Sequence, residues 1–393
     1  MKRTIAIISV ACALTVAACA SSTTPGFAPP SYSGHHLPSA KSNGFRLVYA
    51  WPGDAEPFAG LTYLGGTFYG TTAFSGNGSG TVYSVTPNGN QQVLYSFSGN
   101  DGAVPQGDLA VMNGLLYGTT SQGGAYQDGT VFSISTGGSF NVLHNFGGPD
   151  GRAPVAGLTS LNGTLYGVTR FGGTNDQGAV FSITSSGTEN VIYSFTGTPD
   201  GAQPAADLVN VNGVLYGTTA GGGTNDSGTA FSITPGGVES VLHSFGSGSD
   251  GVDPLGRLIY VDGTFYGTTT GGGTTVCEGF ISCGTVFSMT PSGSEQVLHS
   301  FNPFQFGDGW SPWAGVTEMK GVLYGTTQFG GVFSYGTVYS ITKRGAEKVL
   351  YYFENSGDGN SPLAPLVSLK GTLYGTALGC GSTCGGTVFA LRP

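Results

Sequence analysis

The stretch FNPFQFGDGWSPWAGV, residues 301–316, gathers three phenylalanines and two of the chain's three tryptophans. Phe304, Phe306, Trp310 and Trp313 are residue types that stack on the apolar faces of sugars or anchor a protein partner. The same rings would serve to pack a long loop down, so their place in the fold decides between the two uses. Aspartates form a second set. The pattern Asp-Gly-x-x-Pro occurs at Asp101, Asp150, Asp200, Asp250, Asp308 and Asp358, with a degenerate copy at Asp54. Such carboxylates could ring a channel and attract a cation or cationic ligand. Alternatively, each could bond its own turn backbone ahead of the glycine. A residue repeated in every unit is read first as serving the unit.

Four cysteines fall in two short pairs, Cys277 with Cys283 and Cys380 with Cys384. In an exported chain this spacing implies local disulfides. No histidine neighbours either pair, and no metal site is expected there. His144, His243 and His299 each replace the tyrosine of a recurring Val-Leu-Tyr-Ser-Phe segment (Tyr95, Tyr193), one per unit, too far apart to converge on each other. Arg152, Arg170 and Arg257 depart from the repeat without an evident common site. The chain has no G-x-S-x-G elbow, no P-loop and no H-E-x-x-H. No catalytic residue and no cofactor is assigned, and no carboxylate pair suited to polysaccharide hydrolysis or lysis stands out.

The elements that position these residues follow from a long period. Tyr-Gly-Thr-Thr or a close variant starts at Tyr69, Tyr117, Tyr166, Tyr216, Tyr266, Tyr324 and Tyr374, at spacings of 48, 49, 50, 50, 58 and 50. Seven units of about fifty residues fill 45–393, the mark of a repeat architecture. The fourth unit shows its parts: Leu208–Val211, an Asn212-Gly213 turn, Val214–Thr219, a GGGTNDSG loop, Thr229–Thr234, a Pro235-Gly-Gly turn and Val241–Phe245. These runs are β-branched and aromatic, and their turns are hairpin turns. Four antiparallel strands repeated seven times predict an all-β, seven-bladed β-propeller. The last unit ends at its third strand, while residues 45–51, FRLVYAW, match the fourth-strand segments elsewhere. The N-terminal strand is therefore expected to pair into the last blade and close the ring. Trp51 then takes a packing position.

Antiparallel order sorts the loops by face. The first-to-second and third-to-fourth turns are short and nearly invariant. All length variation falls in the second-to-third loops and the crossings to the next blade, including both cysteine pairs and the aromatic stretch. That variable face is where recognition is expected.

At the N-terminus, Lys2 and Arg3 precede a short apolar run, Ile5–Val16, too short for a comfortable membrane span. It ends Val16-Ala17-Ala18-Cys19, which resembles the lipobox of bacterial lipoproteins. The resemblance implies a signal peptide over 1–18, lipid on Cys19 and, with Ala20 next, an outer-membrane anchor facing the cell envelope. Residues 19–44 are rich in Ser, Pro and Gly and read as a tether to the propeller of 45–393. Loss of Lys2 and Arg3 leaves 11 basic against 22 acidic groups, a formal charge of −11. That balance argues against a nucleic-acid partner. A monomer is expected, touching the membrane through its lipid alone.

The repeats themselves resemble the GloVer tandem-repeat proteins, an exported bacterial group. The likeness rests on Tyr-Gly-Thr-Thr, the following Gly-Gly, Gly-Thr-Val-Phe/Tyr-Ser and Val-Leu-Tyr/His-Ser-Phe, over 45–393. It implies a repeat scaffold and brings no activity with it. The combined expectation is an envelope-anchored binding module for a glycan or an envelope protein. The alternatives are a polysaccharide hydrolase or lyase on the same scaffold, and a purely structural surface protein.

Overall fold

The computed structural model describes residues 44–274, 283–305, 307–379 and 385–393. Cys19, Cys277, Phe306, Cys380, Cys384, the signal segment and the tether up to residue 43 lie outside the described residues. No helix among the described residues is long and apolar enough to cross a membrane.

Seven four-stranded antiparallel sheets form the blades of a propeller. Blade 1 runs through Thr62–Leu64, Thr67–Thr72, Thr81–Val85 and Gln91–Ser96. Blades 2 to 6 repeat this order, with first strands at Ala110–Met112, Thr159–Leu161, Val209–Val211, Ile259–Val261 and Thr317–Met319. Blade 7 takes three strands from the C-terminal end, Val367–Leu369, Thr372–Ala377 and Thr387–Leu391, and its fourth, Phe45–Ala50, from the N-terminal side. Phe45 pairs with Leu391 and Ala50 with Thr387, as the sequence predicts. Beyond the strand, Trp51 N–H donates to Gly386 O at 3.0 Å and Gly385 N–H to Trp51 O at 3.0 Å. Trp51 is buried edge-on against Tyr83, 4.8 Å between centroids, where six other blades place Phe97, Phe146, Phe195, Phe245, Phe301 and Phe353.

The repeated motif has a part in each direction of packing. Its glycine leaves room for the third-strand ring: a Cβ on Gly118 would sit 2.5 Å from Phe132, and one on Gly70 2.6 Å from Tyr83. In blades 2, 5 and 7 its first threonine reaches the next blade. Thr119 Oγ1 donates to Ala156 O at 2.7 Å, Thr268 to Ala314 O at 2.9 Å, and Thr376 to Ala59 O at 3.0 Å, the last across the closure. Its second threonine meets the third strand, as Thr120 with Thr130 at 2.8 Å and Thr219 with Thr229 at 2.8 Å. The hairpin turns carry Asn113, Asn162 and Asn212 at φ 52°, each followed by a positive-φ glycine, the backbone that Asn-Gly favours.

Every fourth strand bulges by one residue, between the partners of Val82 and Tyr83 in blade 1 and at the matching place in the others. The bulged carbonyl faces the turn glycine of the following blade so closely that a Cβ on Gly237 would lie 2.4 Å from Ile192 O. The crossing that carries Asp-Gly then pairs with the Gly-Gly after the next second strand, as Gly251 with Gly272 and Gly309 with Gly330. Small residues thus stand at these close backbone approaches between blades.

Candidate functional site

The Asp-Gly aspartates do not ring the channel; they fasten the turn that leaves each outer strand. Asp101 accepts the Tyr95 hydroxyl at 2.5 Å and Ser98 N–H at 2.8 Å. Asp358 accepts Tyr351 at 2.7 Å and Glu354 N–H at 2.9 Å. Where histidine replaces tyrosine, Nε2 takes the same place, with His144–Asp150 at 2.8 Å and His243–Asp250 at 2.9 Å. Burial, then the hydrogen bond to Asp101, pushes the Tyr95 hydroxyl up to about 12, so it stays a donor. These clasps repeat around the ring and therefore serve the scaffold.

A different set of residues meets at the axis. Just before each first strand, the equivalent position of the seven repeats is occupied, in blade order, by Gly60, Asp108, Gly157, Asp207, Arg257, Gly315 and Pro365. Three of them are charged and converge. Arg257 Nη1 lies 3.1 Å from Asp108 Oδ2 and 3.9 Å from Asp207 Oδ2. The other carboxylate oxygens accept backbone N–H groups from the preceding blades, Gly60 to Asp108 at 2.6 Å and Gly157 to Asp207 at 2.6 Å. Glycine at those places is required by closeness: a Cβ on Gly60 would stand 2.9 Å from Asp108 Oδ1. Burial, and then the Asp108 charge, hold the Asp207 carboxyl above the usual range, while Arg257 and Gly157 N–H pull the other way. Asp207 is thus more ready to keep a proton than an ordinary aspartate.

Two residues earlier in the same segments, Phe58, Val155, Leu255, Trp313 and Leu363 form a collar at the channel mouth. With the charged triad in its floor they line an open cavity of about 100 Å3 on the variable face. A second cavity continues below the ring between the first strands, lined by Tyr63, Leu109, Leu208 and Tyr260 among others. The charged triad stands between the two.

The aromatic stretch divides along this geometry. Trp313 belongs to the collar, its indole N–H donating to Ser311 Oγ at 3.1 Å. Trp310 is half-buried and packs on Phe329, 4.5 Å between centroids. Phe304 is 62% exposed on the inserted loop. These rings therefore do not share one surface. Cys283 is buried and its carbonyl accepts Ser311 N–H at 2.9 Å; the proposed pairings of Cys277 and of Cys380 with Cys384 fall outside the described residues. Of the three arginines, Arg152 pairs with Asp176 at 2.8 Å on the surface and lies over Phe171 with Arg170, leaving Arg257 alone at the axis.

Asp108 and Asp207 are the residues that motif searching passes over, because a single aspartate before a strand carries no signature. Aligning the seven entry segments exposes them: charge appears at that position in three repeats and glycine or proline in the rest.

A fold and site of this kind define a repeat-built propeller with a closed, charged axis. The profile of the Gloeobacter/Verrucomicrobia repeat matches residues 56–281 and 273–393, and the chain belongs to that family. No curated protein matches it. Among solved structures it is similar to an ancestral GH74 enzyme, at 11% identity and TM-score 0.57 over 88% of this chain and 48% of that one. It thus spans about half that enzyme's length. It is also similar to the N-terminal domain of Nup159, at 11% identity and TM-score 0.48 over 88% and 95% of the two chains. A putative 6-phosphogluconolactonase from Bacteroides uniformis aligns at 13% identity and TM-score 0.49 over 77% and 86%. At these identities the likeness is one of fold.

Proposed function

We propose that this protein is a lipid-anchored recognition module of the cell envelope that takes a glycan at the channel mouth of its variable face. The observation that carries the reading is the break in repeat symmetry at the axis. Asp108, Asp207 and Arg257 replace glycine or proline in the one ring where seven blades converge, directly beneath Trp313. Carboxylates and a guanidinium offer a sugar both acceptors and donors, and an indole covers its apolar face. An open depression of about 100 Å3 admits the edge of a single sugar residue rather than a folded partner. The acidic chain, formally −11 after loss of the signal, favours a neutral or basic glycan.

Calorimetric titration of the full-length chain with a panel of envelope and environmental oligosaccharides tests this. Saturable binding that weakens about tenfold in Trp313→Ala is the expected result, since one stacked ring contributes roughly 1–1.5 kcal/mol. Binding unchanged by that substitution, or none across the panel, refutes the reading and turns the search to envelope proteins. A second reading, hydrolysis of the bound glycan, is favoured by one fact, the raised carboxyl of Asp207 beside the charge of Asp108. It requires that Asp207→Asn abolish release of reducing ends while binding survives.

A further inference from the structure

Around the rim of the ring, each blade junction brings three side chains together. The outer strand of one blade gives Tyr or His, the crossing gives the Asp-Gly aspartate, and the first residue of the next outer strand gives the third. Where the first is Tyr, the third can be an aromatic partner: Phe140 stacks on Tyr95 at 3.8 Å and Phe45 on Tyr351 at 3.9 Å. Where the first is His, the third is glutamate in every case, giving His144–Asp150–Glu189, His243–Asp250–Glu295 and His299–Asp308–Glu347. In each group one ligand atom per residue lies within 4.8 Å of the others.

The junction of blades 5 and 6 differs from the other two. His144 and His243 are closed onto their aspartates at 2.8 and 2.9 Å, whereas His299 Nε2 stands 3.8 Å from Asp308 Oδ2. Glu189, Glu295 and Glu347 each bury an Oε1 without a hydrogen-bond partner, but of the three junctions this one alone also leaves the histidine Nε2 (His299) and the aspartate Oδ1 (Asp308) unpartnered, and the Asp308 side chain is only 2% exposed. Two carboxylates and an imidazole that meet in a buried junction with these three atoms unpartnered carry a burial cost that a cation among them would offset.

We propose that His299, Asp308 and Glu347 form a divalent-cation site, best matched to Zn2+, that clasps blade 5 to blade 6. One imidazole nitrogen and two carboxylate oxygens are a borderline-hard set suited to zinc, and two carboxylates balance its charge. Bonds of about 2.0–2.2 Å require the three donor atoms to close in by an ångström or so, a side-chain adjustment. A fourth position is left to water. Asp308 opens the motif at the end of the inserted aromatic loop, so the ion would also secure that loop: Asp308 Oδ2 already accepts Asn302 N–H at 2.9 Å. The other two histidine junctions must break a hydrogen bond to bind and are the weaker sites.

The test is a zinc titration of the full-length chain, purified in detergent and stripped with chelator, against a chromophoric competitor. The double variant His299→Tyr/Glu347→Phe installs the Tyr–Phe stack that two junctions already use, so it preserves the packing. It should take up one zinc equivalent fewer than the wild type and lose part of the zinc-induced rise in Tm. Glu347→Gln, which keeps the shape of the site, should weaken that equivalent by about tenfold or more. The same zinc stoichiometry and affinity in wild type and both variants, including no binding by any of them, overturns the proposal. Because neither residue lines the channel mouth, glycan titration of the same variants separates this failure from failure of the recognition reading.

Discussion

Asp108, Asp207 and Arg257 show how a few residues turn a repeated scaffold into a particular molecule. Removing the cation while keeping both acids isolates its part. Arg257→Met leaves two carboxylates facing each other and should cost about 2 kcal/mol at pH 8, less than a fully buried pair because Arg257 is 34% exposed. Asp207 already lies above its ordinary range, so its protonated form favours the fold. That contribution is present at low pH and is lost as pH rises. The deficit of the variant should therefore shrink between pH 8 and pH 5 in urea unfolding; a deficit independent of pH would show that charge repulsion is not its cause. Glu239 offers a second check away from the axis. Burial first, and then Asp200, push its carboxyl from 4.5 to about 7, with Tyr193 pulling it down. A raised value gives stability below the unfolded pKa that disappears as pH rises through 7. Glu239→Gln should accordingly gain roughly 1 kcal/mol at pH 8, after discounting for water at a half-buried group, and nothing near pH 5. Parallel Tm curves for the two proteins from pH 5 to 8 would contradict this.

The strand motif was legible in the sequence as a period and as secondary structure; its spacing gave the blade number, and the match of residues 45–51 to the fourth strands gave the closure. What Tyr-Gly-Thr-Thr does was not legible, because its partners come from other strands and other blades. The glycine is there for the ring of Phe132 or its equivalents, and Gly118→Ala would drive a methyl to 2.5 Å from that ring. Such overpacking at a fully buried aromatic should destabilise by about 2–3 kcal/mol, read as a shift of the urea midpoint. A midpoint within error of the wild type would remove the account of the motif. The histidines illustrate the same limit. In sequence they are rightly seen not to meet one another, yet each meets an aspartate six to nine residues on and a glutamate about fifty residues on. Only blade stacking brings that glutamate in. The aromatic stretch was legible as a cluster, whereas its division into packing (Trp310) and channel-facing (Trp313) parts depends on which side of Pro312 each ring lies.

At the scale of the whole molecule, a ring stands or falls by its closure. The strand Phe45–Ala50 supplies the outer edge of blade 7, and Phe45 covers Tyr351 of blade 6 as well. Deleting 44–51 should expose Thr387–Leu391 as an edge and lower Tm by about 10 °C or more, since a whole strand and the Trp51 packing are lost together. A truncated chain that melts with the intact one would mean that blade 7 does not need its N-terminal strand. The closed ring is also what brings three repeats' charges to one axis beneath Trp313, and that convergence is the basis of the recognition reading. Its most direct test is tryptophan fluorescence with the glycan that the titration panel selects. Trp51 is buried and Trp310 packs on Phe329, so Trp313 is the ring a channel ligand would touch. The account predicts a saturable change that persists in Trp310→Phe and vanishes in Trp313→Phe. A change that follows Trp310 and survives in Trp313→Phe would place the ligand away from the axis and contradict it.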